Sequence, residues 1–379
     1  MQNARSTPGA SRLNATRDAV IGEIRNAPLL SLLIFVPVVL ITEMVSPEAH
    51  TLLFFLSVLA IVPLAALLSR ATEAVSTRTG DAVGGLLNAT LGNLTELVIS
   101  LAALQAGQYL LVKASIAGAI VTNTLFMLGG SFLLGGLRYH VQEFNRVSAR
   151  FQACLLFLAT VAVLVPSLVG NVDQGAATLH KLSLGLAVIL ILVYAMGMLF
   201  SLKTHRELFA SVSEASEEHS SWSLATSITV LIVVTLFVAL ISEVFVRSVQ
   251  AAAEGMGMTP AFVGFIVVAL VGAAAEMTTA FSAARANRLD LSVGIALGSA
   301  SQIALFVAPV LVIVSYFIGP EPMSLQFWPG AVAMMFIATM AAALLSNGGR
   351  GAWYVGVLAL AVYAIFGLTL FLLPPASPS

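Results

Sequence analysis

Two glutamates, Glu96 and Glu276, stand well inside apolar stretches of the 379-residue chain. An ionised carboxylate at the centre of a bilayer costs about 2.5 to 3.5 kcal/mol, so an acid in this setting indicates function. Each glutamate follows a glycine by four residues, Gly92 in the first case and Gly272 in the second. Two carboxylates suit a hard divalent cation, and they can take up protons when the cation leaves.

Amide and hydroxyl side chains near these acids could supply further oxygen ligands. Asn93 lies between the glycine and the glutamate of the first motif, and more polar residues follow in the next apolar run of each half. Hard divalent cations accept such neutral oxygens together with carboxylates. We predict that the metal ligands are Glu96, Glu276, Asn93, Asn123, Gln302 and Ser301. Asn123 and Gln302 could instead form hydrogen bonds between helices.

Glycines at matching positions of the two halves could interrupt the helices that carry these ligands. An unwound turn frees backbone carbonyls, which can then coordinate a cation. We predict helix breaks at Gly92, Gly272, Gly118 and Gly298. For Gly298, which follows Gly294 by four residues, close helix packing is an alternative explanation.

The two glutamate motifs belong to an internal repeat. The halves are offset by 180 residues, and in both halves a glycine follows the glutamate after 22 residues. A fixed offset predicts two copies of one structural unit. Because each unit contains five apolar runs, the second copy must enter the membrane with the opposite orientation. Inverted repeats with broken helices near the midplane are typical of secondary transporters.

The composition places these motifs in a membrane. Hydrophobic residues make up 59 % of the chain and charged residues 9 %, whereas soluble domains have about 25 % charged residues. A net charge of -1 provides no basic surface for nucleic acid. The single cysteine excludes an internal disulfide. The class that remains is an integral membrane protein whose partner is the lipid bilayer.

Eleven apolar runs approach the length of about 20 residues that a helix needs to cross a bilayer. They extend over residues 28–45, 51–69, 82–104, 112–136, 151–170, 181–201, 222–246, 260–284, 291–318, 324–345 and 352–373. We predict an all-α multi-pass membrane protein with 11 transmembrane helices. One N-terminal helix precedes two inverted five-helix repeats.

The repeats divide the chain into segments. We predict a cytoplasmic polar tail (1–27), an extra transmembrane helix (28–45), a first inverted repeat (51–201), an acidic cytoplasmic linker (202–221), a second inverted repeat (222–373) and a C-terminal tail (374–379). With a cytoplasmic N-terminus, 14 of the 17 basic residues fall on the cytoplasmic side, as the positive-inside rule requires. The polar tail has no apolar core typical of a signal peptide, so we expect a bacterial inner membrane.

The residues around both glutamates resemble a known family. Segments 92–97, 271–276 and 294–303 look like the two repeat motifs of the Ca²⁺/H⁺ exchanger family of the calcium/cation antiporter superfamily, and the similarity covers roughly residues 50–345. The resemblance implies that Glu96 and Glu276 bind Ca²⁺ and protons alternately. Asn93, Asn123 and Gln302 would be assisting ligands. Ca²⁺ and H⁺ are the implied substrates, and no cofactor is implied.

Two residues depart from the family pattern. Ala273 stands where the family has asparagine, and Met277 stands where it has histidine. The first change removes an amide oxygen, and the second removes a polar neighbour of the carboxylate. Backbone carbonyls or water could replace a ligand for Ca²⁺, whose coordination is variable. We therefore expect a Ca²⁺/H⁺ antiporter, with a Na⁺ or K⁺/H⁺ antiporter and a cation channel as alternatives.

Other functions fit the sequence less well. An enzyme is not expected, because no aspartate or histidine that could serve catalysis lies within a predicted span. Glu243 and Glu73, near span ends, could line an access path to the site, although acids at the membrane interface are equally common. The sequence leaves the oligomeric state and the exchange stoichiometry open.

Overall fold

The computed structural model describes residues 28–79, 81–169, 176–209 and 222–373. The predicted tails over 1–27 and 374–379 lie outside the described residues, as do residues 210–221 of the predicted linker. The described chain is predominantly helical.

The apolar runs form helices, because a helix satisfies the backbone hydrogen bonds of such a run internally. In chain order they are α1 (Phe35–Val45, after a 3-10 turn over Pro28–Ile34), α2 (His50–Ser76), α3a (Asp81–Leu91), α3b (Leu94–Gln105), α4 (Tyr109–Tyr139), α5 (Arg146–Val169), α6 (Ala176–Leu199), α7 (Leu224–Gly255), α8a (Pro260–Gly272), α8b (Ala274–Arg285), α9 (Leu289–Val314), α10 (Pro329–Ser346) and α11 (Trp353–Leu372).

The helices differ in their capacity to cross a membrane. Among the described residues, eight are long and apolar enough, and the bent pair α8a and α8b makes nine if it forms one span. The segments Leu29–Val45 and Leu94–Gln105 are apolar but shorter. Every predicted run coincides with a helix or a helix pair, yet length and composition alone support eight or nine crossings.

A short β-ribbon lies at one end of the bundle, as a small addition to the predicted helical fold. Strand β1 (Val141–Glu143) pairs antiparallel with β2 (Arg350–Ala352). Glu143 and Arg350 form an ion pair at 2.7 Å across the ribbon. Strands of three residues carry too few positions for a period-two pattern to reveal them. We call this end of the bundle the ribbon end.

The opposite end departs from two predicted boundaries. The predicted run 324–345 begins as extended chain, and α10 starts only at Pro329. The residue before it, Trp328, has φ -68° and ψ 150°, because proline disfavours the helical conformation of its predecessor. The predicted run 291–318 likewise ends early, since α9 stops at Val314.

The extended residues 321–328, which we call the strap, are bound tightly at this end. Alternate strap residues bury their side chains and donate their backbone N–H groups to serine hydroxyls. The pairs are Met323 with Ser315, Leu325 with Ser183 and Phe327 with Ser167, at 2.7, 2.9 and 3.0 Å. These bonds fix the strap to α5, to α6 and to the end of α9. We call this end the strap end.

Two helix pairs make close contacts within the bundle. Along α2 and α7, Phe54 stacks on Phe245 with ring centroids 5.5 Å apart. Between α4 and α8a, Gly118 lies directly against the backbone of Phe265. Helices α4, α8a and α9 lie around the breaks in α3 and α8.

Candidate cation site at two helix breaks

Two interrupted helices define the centre of the molecule. The first is unwound at Gly92 and Asn93, between α3a and α3b. The second is interrupted at Ala273, where α8a and α8b meet at an angle of 58°. At Gly92 a Cβ atom would lie 2.6 Å from the backbone oxygen of Asn88, so the tight turn requires glycine there.

Each break places one of the predicted glutamates in the first turn of the following half-helix. Glu96 occupies this position in α3b and Glu276 occupies it in α8b. The unpaired N–H groups of a helix N-terminus favour negative charge. Both side chains are half-buried. The two breaks therefore present carboxylates in equivalent local settings.

The two halves of the site touch each other. A Cβ atom built on Gly272 would lie 3.0 Å from Oε1 of Glu96, so the carboxylate of the first half rests against the break of the second. Glu96 and Glu276 also lie within electrostatic reach of each other. The sequence-predicted pair, 180 residues apart, is thus brought together.

A chain of hydrogen bonds connects the predicted amide ligands. Asn93 donates to Oε1 of Gln302 at 2.6 Å. The hydroxyl of Ser299 donates to Oδ1 of Asn93 at 2.8 Å, and Asn123 donates to the same hydroxyl at 2.9 Å. Asn93 and Asn123 are 1 % and 0 % exposed. This network joins the first break to α4 and α9.

Two oxygens of this centre are buried and have no hydrogen-bond partner among the described residues. They are Oδ1 of Asn123 and Oε2 of Glu276. An unsatisfied buried polar atom costs about 1 to 3 kcal/mol. A cation or a proton would remove that cost. Carboxylate, amide and hydroxyl oxygens are the ligands that Ca²⁺ prefers.

Ser299 is a site residue that sequence reasoning missed. Its hydroxyl donates a hydrogen bond to Asn93 and accepts one from Asn123, and it lies near the Glu276 carboxyl. The residue 180 positions earlier is Ala119, so the repeat gives no polar counterpart. A signal was nevertheless present, because Ser299 follows Gly298 in the second motif.

Ser301 lies on another side of α9 than the network. Its hydroxyl donates to Oε1 of Gln152 at 2.6 Å and to the carbonyl of Gly298 at 2.9 Å. Gln152 belongs to α5, a helix from which no site residue was predicted. Ser301 is therefore connected to α5 rather than to the two asparagines.

Two of the four predicted helix breaks are wrong. The helices continue through Gly118 and Gly298, and each changes to a π-helix a few residues later, over Thr122–Met127 and Ile303–Val307. A glycine inside a helix need not break the helix, because its missing side chain lets a neighbouring helix approach closely. Such π segments often occur at functional sites.

The two acids proposed for an access path lie at the surface. Glu243 is exposed on α7 and forms an ion pair with Arg247 at 2.9 Å. Arg247 also binds Glu43 at 3.1 Å, which connects α7 to α1. Glu73 is exposed near the end of α2. Neither position belongs to the amide network around the breaks.

The two residues that depart from the family pattern line the second break with apolar atoms. Ala273 is 1 % exposed and Met277 is 7 % exposed, and both belong to a buried hydrophobic cluster. Among the described residues no group of three or more His, Cys, Asp or Glu side chains could hold a metal. Neutral oxygens must therefore complete any site built on the two glutamates.

Comparison with known proteins identifies the family. The model of the sodium/calcium exchanger protein family matches residues 49–203 and 226–372. The chain belongs to this family, as its motifs predicted. The fold and the site are therefore those of an integral membrane transporter.

Several relatives carry a more specific name. A "Ca(2+)/H(+) antiporter" of Aphanothece halophytica is 39 % identical over 367 residues, which cover 92 % of this chain and 98 % of the relative. One of Synechocystis sp. is 41 % identical over 345 residues, covering 86 % and 92 %. The crystal structure of the Ca²⁺/H⁺ antiporter protein YfkE is 38 % identical, with a TM-score of 0.78 and coverage of 91 % of this chain and 98 % of that one.

Proposed function

We propose that this protein is a secondary antiporter that exchanges Ca²⁺ for H⁺ across a membrane. The observation that carries the proposal is the meeting of Glu96 and Glu276 at two helix breaks, with a buried unpaired oxygen on Glu276. The relatives named Ca²⁺/H⁺ antiporter support the choice of substrates.

Competition for the two carboxylates would produce the exchange. Two neighbouring carboxylates in a region of low dielectric resist simultaneous ionisation, so a proton is retained when the cation leaves. Ca²⁺ binding favours both charged forms and expels protons. If only the Ca²⁺-loaded or the protonated site can change its access between the two faces, each Ca²⁺ that crosses is matched by protons in the opposite direction.

We assign the ligand roles in the same proposal. Glu96 and Glu276 bind Ca²⁺ and protons, while Asn93, Asn123 and Gln302 provide or orient neutral oxygens. Ser299 joins this set because it hydrogen-bonds both asparagines. Ser301 acts from its own position beside α5.

The contacts between loops support eleven crossings in two inverted repeats over 51–201 and 222–373. At the ribbon end, Gln142 donates to the carbonyl of Ala284 at 2.9 Å, and β1 pairs with β2. At the strap end, the hydroxyl of Tyr109 donates to the carbonyl of Glu321 at 2.6 Å. If the chain crosses the membrane eleven times in succession, the two loops joined by each of these contacts lie on the same side of the membrane. The basic residues assign the ribbon end and the N-terminus to the cytoplasm of a bacterial cell.

Transport by the reconstituted full-length chain tests the function. An outward-directed proton gradient imposed on proteoliposomes should drive Ca²⁺ uptake, and the uptake should collapse when a protonophore dissipates the gradient. Na⁺ and K⁺ should compete weakly. Uptake of Na⁺ or K⁺ instead of Ca²⁺ would favour the monovalent antiporter. Ca²⁺ flux that needs no counter-flow of protons would indicate a channel.

A further inference from the structure

Gly118 and Gly298 occupy matching positions of the two repeats but have different surroundings. A Cβ atom on Gly118 would lie 2.1 Å from the carbonyl oxygen of Phe265. A Cβ atom on Gly298 would meet no atom of the described residues within 4 Å, although Gly298 is buried within the bundle. The first glycine permits close helix packing. The second borders an open space inside the protein.

Helix geometry places this space beside the predicted ligands of α9. At 3.6 residues per turn, Ser301 and Gln302 point about 60° and 40° to either side of the Gly298 direction, one turn further along the helix. Because α9 begins at the ribbon end, the space lies on the ribbon side of both residues. It therefore adjoins the centre of the site from that end.

Oxygen atoms border the space on the α5 side and on the α3 side. The Ser301 hydroxyl lies 2.6 Å from Oε1 of Gln152 and 2.9 Å from the carbonyl oxygen of Gly298. On the other side, Oε1 of Gln302 accepts the hydrogen bond from Asn93. Hard cations exchange their water for such oxygens one at a time.

The strap side of Glu96 offers much less room. A cavity there, bordered by Ile99, Ile116, Val268 and Ile303 and also by Ser100 and Ser115, has room for about one water molecule. Its walls are almost entirely apolar. A hydrated cation does not fit a cavity of this size. The strap side therefore offers no wide path to Glu96.

We propose that the space beside Gly298 is the route by which the cation reaches the glutamates from the ribbon end, with Gln152 and Ser301 as its first side-chain ligands. The inference rests on the proposed function, because it takes Ca²⁺ as the cation. It gives Gly298 a role that requires the absence of a side chain. It also gives α5 a part in ion binding.

Filling the space with side chains tests the route. Gly298→Ala and Gly298→Val should fold, because no atom in the described part of the chain lies within 4 Å of the added Cβ and alanine favours a helix over glycine. In everted vesicles, which present the ribbon end to added Ca²⁺, Gly298→Ala should raise the Ca²⁺ KM about tenfold, the effect of one misplaced carbon in a binding site. Gly298→Val should abolish uptake.

Gly185 provides the matched control. Among the described residues, no atom lies within 4 Å of a Cβ built on Gly185 either, but this glycine is exposed on α6. Gly185→Ala and Gly185→Val should transport like the wild type. Thermal unfolding of all four variants separates a loss of transport from a loss of folding.

Gln152 provides an independent test that adds no volume at Gly298. Gln152→Leu should raise the Ca²⁺ KM roughly tenfold, as loss of a supporting ligand does, with little change in the maximal rate. Gln152→Glu, which keeps the acceptor oxygen, should restore the wild-type KM or lower it. In a Ser301→Ala background, Gln152→Leu should have little additional effect.

Two results would overturn this inference while leaving the proposed function intact. They are wild-type KM and rate in Gly298→Ala, and wild-type KM in Gln152→Leu. If the wild-type protein itself fails to exchange Ca²⁺ for H⁺, the proposed function is wrong. The inferred Ca²⁺ route is then rejected together with it.

Discussion

The two helix breaks carry the same glutamate but differ in what surrounds it. At the first break, Asn93 is buried and uses both its amide nitrogen and its oxygen in hydrogen bonds to α9. At the second break, the equivalent residue is Ala273, and Oε2 of Glu276 is buried without a partner among the described residues. At the first break the protein itself satisfies Asn93, although Oδ1 of Asn123 on the neighbouring α4 has no partner among the described residues. At the second break the glutamate carboxylate itself depends on an added ion or proton.

This difference assigns separate tasks to the halves. A connected hydrogen-bond network holds its members in one geometry, so the network at the first break positions ligands on α3, α4 and α9. An unpaired carboxylate oxygen gains most from a cation, so Glu276 should respond most strongly to whether Ca²⁺ or a proton is bound. The symmetric sequence motif therefore produces an asymmetric site.

The largest effects should come from removing either charge. Glu96→Gln and Glu276→Gln should each lower exchange by at least about 100-fold, since loss of one carboxylate removes a charged ligand and a proton carrier. Proton-driven Ca²⁺ uptake into proteoliposomes measures this. Glu254→Gln, an exposed acid at the end of α7, is the matched control and should behave as wild type. Full exchange by either of the first two variants would remove the glutamate pair from the mechanism.

Loss of the network at the first break should have the next largest effect. Asn93→Ala deprives Gln302 and Ser299 of their partner, and we expect the Ca²⁺ affinity to fall roughly 10- to 100-fold, as for residues that orient metal ligands. Equilibrium Ca²⁺ binding to purified protein gives the affinity directly. An unchanged affinity would show that the network serves packing alone.

Gly272→Ala tests the contact between the halves. The added Cβ would stand 3.0 Å from Oε1 of Glu96, so the carboxylate must shift by a few tenths of an ångström. We expect a few-fold loss of Ca²⁺ affinity, on the order of 1 kcal/mol, because a side chain moved by this amount still reaches the ion. Thermal stability should change little. If affinity stays at the wild-type value, the contact between Glu96 and Gly272 does not position the carboxylate.

Restoring the missing amide should have the smallest effect. Ala273→Asn adds an oxygen at the second break, but the position is only 1 % exposed and packs in an apolar cluster. We expect a gain in Ca²⁺ affinity below about tenfold, because the strain of overpacking offsets part of the new ligand. Ala273→Leu, which adds similar volume without an oxygen, is the control. Equal behaviour of the two variants would show that residue 273 does not act as a ligand.

The sequence predicted the parts of the site that follow from local pattern. Long apolar runs indicate the positions of helices, and the glycine four residues before each glutamate precedes a real interruption in α3 and in α8. The same reasoning failed for Gly118 and Gly298. Glycine spacing alone does not distinguish a broken helix from a close contact or an open space.

The residues that the sequence did not reveal depend on tertiary contacts. Gln152 lies 149 residues before Ser301 in the sequence and accepts its hydrogen bond. It belongs to α5, a helix that carries neither repeat motif. Ser299 has an alanine as its repeat counterpart, so the repeat did not single it out. The strap is extended because its N–H groups find serine hydroxyls on separate helices. None of these features has a periodic signature.

Proton release on Ca²⁺ binding tests the central claim most directly. Purified wild-type protein in weakly buffered detergent solution should release protons as Ca²⁺ binds, and its Ca²⁺ affinity should fall as the pH is lowered. In Glu276→Gln, which cannot exchange a proton at that position, the number of protons released per bound Ca²⁺ should fall. Ca²⁺ binding without proton release in the wild type, at an affinity independent of pH, would contradict competition for the glutamate pair.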